Sequence, residues 1–251
     1  MLQRNLFTGA ATFVVALTSF AGAASAQTCA TLPDYTKLKA ALVQATKDET
    51  SGLNNHMWAT IVDRDGVVCA VAFSGKDRFA QWPGSRVISA QKANTANAFS
   101  LDSGSSSDGS GQANGLALST ANLFSAVQPG GSLFGLQFSN PVNEDVGYKI
   151  PSAGYGTATD PMKGGKIGGV NVFGGGLALF ATGKKMVGAV GVSGDTSCAD
   201  HAIAYRMRHL AKLDGTPNSD NIVYLSPGEL PNNGSGDVFK QPHCGPNDII
   251  P

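Results

Sequence analysis

The chain has 251 residues, with 18 Lys+Arg against 18 Asp+Glu, 14% charged and 42% hydrophobic residues. This length suggests one domain with extras, or at most two, and the zero balance argues against nucleic-acid binding, which leaves a basic footprint. Glycine, at 32 of 251, stands well above the usual ~7%, favouring a compact fold with many tight turns over a disordered or coiled-coil chain.

The first 26 residues read as an address. Arg4 precedes an apolar, Ala-rich stretch through Phe20, and Ala24-Ser25-Ala26 forms a small-residue cleavage site before Gln27, the pattern of a secretory signal peptide. No later stretch approaches the ~20 apolar residues of a membrane span. The expected product is soluble and periplasmic or secreted. Four cysteines remain after such cleavage, Cys29, Cys69, Cys198 and Cys244, and an oxidising compartment suggests two disulfides. Three pairings are possible; Cys29–Cys69 with Cys198–Cys244 is the one preferred. The competing reading is a reactive Cys198 thiolate at a helix start.

Asp34 to Ser51 has a helical pattern, with Leu38, Ala41, Leu42 and Ala45 on one face and Gly52 as a stop. Trp58–Asp63 and Val67–Phe73 read as strands joined by the hairpin signal Asp63-Arg64-Asp65-Gly66. The second run is apolar or small on both alternating faces, which predicts cover on both sides. Ser85, as N-cap, opens a small-sided helix to about Phe99, carrying Ala90, Ala93, Ala96 and Ala98. Leu101 to Gly115 is a Ser/Gly-rich loop. A short helix is expected near Thr120–Val127 and a strand at Leu133–Phe138, followed by an inserted surface excursion over residues 139–169. Val170–Phe173, Leu177–Thr182 and Lys185–Val192 are further strand candidates separated by glycine turns.

Ser197-Cys198-Ala199-Asp200 has the form of a capping box and predicts a helix to about Lys212. Its buried stripe would be Ala199, Ile203, Met207 and Leu210, with His201, Tyr205 and His209 on the opposite, polar face. From residue 214 to 251 the chain is a Pro/Asn/Gly-rich tail with one strand-like run, Ile222–Leu225. The pattern predicts a single α+β domain over residues 27–213, with helices packed on a mostly antiparallel sheet.

HExxH, GxSxG, Walker A and GxGxxG signatures are all missing. Ser89-Ala90-Gln91-Lys92 matches S-x-x-K and Ser219-Asp220-Asn221 matches S-D-N, two elements of serine penicillin-recognising hydrolases. No K-T-G follows. A longer series is more specific. Val62-Asp63-Arg64-Asp65-Gly66, Lys92 to Phe99 (KANTANAF), Gln128-Pro129-Gly130-Gly131, Phe173-Gly174-Gly175-Gly176-Leu177 and Gly188 to Gly194 (GAVGVSG) occur in order before a helix carrying Asp200. This series, from about Asp34 to Leu210, resembles the GlcG/HbpS-like family, seen also as the C-terminal domain of PduO-type adenosyltransferases.

The resemblance implies a sheet of about five antiparallel strands flanked by helices, assembly into homo-oligomers, and haem binding in some members, with haem degradation proposed. Haem needs an axial ligand, an apolar slot and groups for its propionates. Among His56, His201, His209 and His243, His201 and His56 rank first as iron ligands, each with its second ring nitrogen held by a neighbour. Gly174, Gly175, Gly176, Ser193 and Gly194 would line a cleft with bare backbone facing an anionic group, or would simply permit turns and close packing. Lys92 is either a partner for that anion or a solvated helix charge. The expected function is an exported small-molecule-binding protein with haem as the leading ligand and a haem-linked redox or degradative activity as an extension. The alternative is a structural or sensory accessory protein without a cofactor.

Overall fold

The computed structural model describes residues 29–104, 114–231, 239–246 and 248. The expected signal segment, most of the Ser/Gly loop and parts of the tail lie outside the described residues.

Asp34 accepts the Lys37 N–H at 2.9 Å and so caps α1, Tyr35–Lys47, whose Leu38, Leu42 and Ala45 are buried. β1, Trp58–Asp63, and β2, Val68–Phe73, form the expected hairpin. Gly66 supplies the positive φ of 76° at its turn, and Asp63 Oδ1 accepts the Asp65 and Val67 N–H groups. Every residue of both strands is buried. α2 spans Ser85–Phe99, followed by two four-residue helices, α3 (Leu136–Ser139) and α4 (Glu144–Gly147). β3 (Gly176–Ala181), β4 (Lys185–Ser193) and α5 (Ser197–Leu210) complete the order.

The four strands lie in the order β2-β1-β4-β3, antiparallel throughout. α2 covers one face and α1 with α5 cover the other. Alternation along β1 shows why: Ala59 and Ile61 join the α1/α5 core, while Trp58 and Val62 join the α2 core. The β1–β2 register shifts between Ile61 and Val62, which pair with Ala70 and Val68. Cys69 is therefore the extra residue of a bulge, and the bulge turns it toward the α1 face, where it meets Cys29 in a disulfide. The second disulfide joins Cys198 to Cys244, so Cys198 holds no thiolate. Both bridges have the preferred pairing.

Among the described residues the sheet has four strands where about five were expected. Leu133–Phe138 is not a strand: Gly135, at φ 91°, starts α3 instead. Val170–Phe173 is buried at Val170 and Val172, yet the Asn171 N–H goes to Thr95 Oγ1 and the Phe173 N–H to the Asn171 side chain, which removes it from any ladder. Ile222–Leu225 supplies only a bridge from Tyr224 to Gln241. Residues 139–169 are more than a surface excursion. Met162 and Ile167 are fully buried against α2, and Gly164 and Gly165 hydrogen-bond Val68 at the open edge of β2. The other edge is met at Phe180 by Leu213 and Gly215. Each edge is thus capped at one point, which shortens the stretch open to unwanted strand pairing.

Candidate ligand-binding site

Between α2 and α5 the chain buries charge. A Cβ at Gly191 of β4 would overlap the Ser89 carbonyl of α2, and this close approach seats Lys92 directly against β4, with Nζ on the Val192 carbonyl. Lys92 Nζ stands 2.6 Å from Asp200 Oδ2 and 3.1 Å from the Val192 carbonyl, with both side chains almost fully buried. Asp200 Oδ1 accepts the Asp195 N–H at 2.9 Å. Burial pushes the Asp200 carboxyl up to about 6 against the opposing pull of Lys92, and burial lowers the Lys92 ammonium against the pull of Asp200. The two directions agree: desolvation outweighs mutual attraction. Lys92 is thus neither solvated nor free for a ligand's anion.

The glycines surround this pair instead of lining a slot. A Cβ on Gly174 would overlap the Ser197 carbonyl, one on Gly175 (φ 113°) the Val192 carbonyl, and one on Gly176 the Thr120 side chain. The expectation that they expose backbone to a ligand gives way to close packing. Ser193 is buried opposite Trp58, and the Gly194 carbonyl accepts from the side chains of Asn55 and Gln81. The capping box is also displaced by one residue. Thr196 caps α5 through the Ala199 N–H, while Ser197 Oγ accepts from Gly174 N at 2.6 Å.

The histidines separate sharply. His201 is wholly buried, with Nδ1 3.1 Å from Ser119 Oγ and Nε2 without a partner among the described residues. Burial pulls its pKa down to about 4. The face expected to be polar and open is met here by Ser119, where the chain turns into Thr120 and Ala121, and His201 is sealed from solvent. His209 does lie in solvent, 2.8 Å from Asp214. His243 stacks on Tyr224 at 4.2 Å and pairs with Asp248. His56 is exposed, its Nδ1 3.3 Å from Ser74 Oγ and its ring 5.8 Å from Phe73. The hydrolase reading meets a direct obstacle: Ser89 is fully buried and bonded to Thr60 and the Arg86 carbonyl. Lys92 serves Asp200, and Asp220 holds Arg208 in a bidentate pair.

A ligand-sized opening lies on the α1/α5 face of the sheet. A cleft of about 780 Å³ runs between α1 and α5. Leu38, Ile61, Leu179 and Val190 form its floor, residues 30–33 form one wall, and Lys37 and Lys212 stand exposed at its rim. Met207 lines it, and no histidine does. Its size is that of a small-molecule site, mostly apolar with a few charged groups. Sequence reasoning missed it because its lining comes from six separate segments, residues 30–33, α1, β1, β3, β4 and α5 with the residues after it, although the Met207–Leu210 stripe was in view. No helix among the described residues is long and apolar enough to cross a membrane.

A family model described as "Haem degrading protein HbpS-like" matches residues 31–208. Among solved structures, the chain is similar to Klebsiella pneumoniae protein ORFY, at 24% identity over 70% of this chain and 85% of that one (TM-score 0.43). It is similar to a PduOC–haem complex at 20% identity, over 72% and 94% of the two chains (TM-score 0.46). A double mutant of Streptomyces reticuli HbpS shares 19% identity over 80% and 98% (TM-score 0.43). Comparison with curated proteins finds no match. The matched span runs from the wall of the cleft through all four strands to Arg208 of α5, so the chain belongs to the HbpS-like family.

Proposed function

We propose that this chain is an exported small-molecule-binding protein that takes haem into the cleft between α1 and α5. The observation that carries the reading is a cleft of about 780 Å³ with an apolar floor beneath a cationic rim; the family's description supplies haem as the ligand. Leu38, Ile61, Leu179 and Val190 would exclude water from the ring faces, and Lys37 and Lys212 would pair with the propionates. Of the lining side chains, only the Met207 thioether is an ordinary haem-iron donor. Bound haem would supply a redox-active iron, on which any degradative activity would depend. Two disulfides suit an oxidising compartment, and self-association belongs to the same reading.

Titration with haemin, followed by the Soret band, tests this. Ala41→Trp, placed on the cleft wall, abolishes saturable binding. Met207→Leu alters the spectrum, and Lys37→Glu with Lys212→Glu weakens affinity roughly three- to tenfold with marked salt dependence. Unchanged binding in Ala41→Trp sinks the cleft reading. A second reading rests on His56, an exposed imidazole held at Nδ1 by Ser74; loss of the Soret response in His56→Ala, with Ala41→Trp unaffected, would select it. No haemin response in the parent protein leaves the cofactor-free accessory role.

A further inference from the structure

On the α2 side of the sheet, remote from the α1/α5 cleft, a second cavity of about 240 Å³ is walled by Trp58, Phe79, Tyr148 and Tyr155, with Arg78 and Arg86 among its lining residues. The two arginines differ. Arg86 is committed: it grips Asp160 through two nitrogens, donates to the Gly147 carbonyl and lies 3.6 Å from the Tyr155 ring centroid. Asp160 is itself satisfied by the Gly156 and Met162 N–H groups. Arg78 lies 4.5 Å over the Phe79 ring and makes no ion pair among the described residues. Trp58 is 2% exposed, and its indole N–H is buried without an acceptor.

We infer that this pocket binds a monocyclic aromatic carboxylate, with the ring among Trp58, Phe79 and Tyr148 and the carboxylate on Arg78. The size sets the class: a cavity of ~150 Å³ holds benzene, so this pocket takes one substituted ring and excludes a tetrapyrrole. Aromatic walls favour a flat π-face over an aliphatic one, and the open guanidinium favours a carboxylate over a neutral substituent. The inference stands independently of haem in the other cleft.

Benzoate is the probe, used on the full chain. The protein has two tryptophans, so Trp82→Phe leaves Trp58 as the sole indole reporter. Benzoate should change Trp58 emission saturably at millimolar or lower concentration, while benzamide and cyclohexanecarboxylate bind at least about fivefold more weakly. Arg78→Ala should weaken benzoate about tenfold, and Arg78→Lys should restore part of it. Gly84 also lines the pocket; it has helical φ/ψ of −64° and −27° and open space where a Cβ would stand. Gly84→Leu should therefore keep the far-UV spectrum of the parent and lose the response. The inference fails if benzoate gives no saturable change, if either control binds equally well, or if Arg78→Ala or Gly84→Leu leaves affinity unchanged. A Trp58 response that follows protein concentration instead of benzoate would overturn it in favour of a side chain from a second copy.

Discussion

Lys92→Met is the sharpest test of the buried layer between α2 and α5. The substitution keeps the volume of the stem but removes the ammonium 2.6 Å from Asp200, leaving a carboxyl that is 3% exposed as a residue with one remaining donor, the Asp195 N–H. Stranding one member of a buried pair costs about 3–5 kcal/mol. For a domain of this size that lowers Tm by roughly 6–20 °C. The pH dependence has a definite sign. Asp200 already titrates at about 6 in the folded chain against 3.8 ordinarily, so the folded state holds its proton more tightly, and this group's contribution falls as pH rises from 3.8 through 6. Without Lys92 the folded value climbs further, and the loss must be larger at pH 8 than at pH 5. Lys92→Met/Asp200→Asn removes both charges while keeping an oxygen for Asp195 N–H, and should recover most of the loss. The assay is urea unfolding followed by circular dichroism at both pH values under non-reducing conditions. A single-variant loss below about 1 kcal/mol, or one equal at pH 5 and pH 8, would refute the reasoning.

Removing either disulfide by paired Cys→Ser substitution should cost about 4 kcal/mol in the same assay, from the loop entropy of sequence separations of 40 and 46. Gly191→Ala would drive a methyl into the Ser89 carbonyl and the Ala93 amide; a loss of at least about 3 kcal/mol, or failure to accumulate folded protein, is expected. His201 works in the opposite sense to Asp200. Its folded value of about 4 lies below the ordinary 6.5, so its contribution is complete above pH 6.5 and is lost as pH falls toward 4. The full amount is about 3 kcal/mol, and NMR titration of the imidazole should show it neutral at pH 5.

Much of the fold was legible because it is written in local periodicity. β1 has the expected bounds, Trp58–Asp63, and α2 ends at Phe99 as read. Both disulfides have the preferred pairing, but the physical route to Cys29–Cys69 was hidden. Strict alternation would have faced Cys69 according to β2's pleat, whereas the bulge opposite Ile61 and Val62 places it with Ala70 on the α1 side. The missing strands failed for a related reason. Val170–Phe173 has strand composition, but its amides are taken by Thr95 and Asn171 side chains. Hydrophobicity reports burial; it says nothing of which acceptor a backbone amide will find.

The site was less legible because charge and glycine have two opposite uses that composition cannot separate. Lys92, Gly175 and Asp200 stand together, as a ligand site would require, yet the absent Cβ of Gly175 makes room for the Val192 carbonyl and the Lys92–Asp200 pair. Bare backbone is spent there on letting α2 and α5 approach the strands between them. That spending has a consequence on the other face. α5 is anchored through Asp200 near its start and through Arg208–Asp220 near its end, and between those anchors its Met207 packs in one core with Leu38 and Leu42 of α1. The wall at residues 30–33 is likewise held by the disulfide from Cys29. The buried polar layer on one side of α5 and the ligand-sized cleft on the other thus share one helix that is fixed near both of its ends.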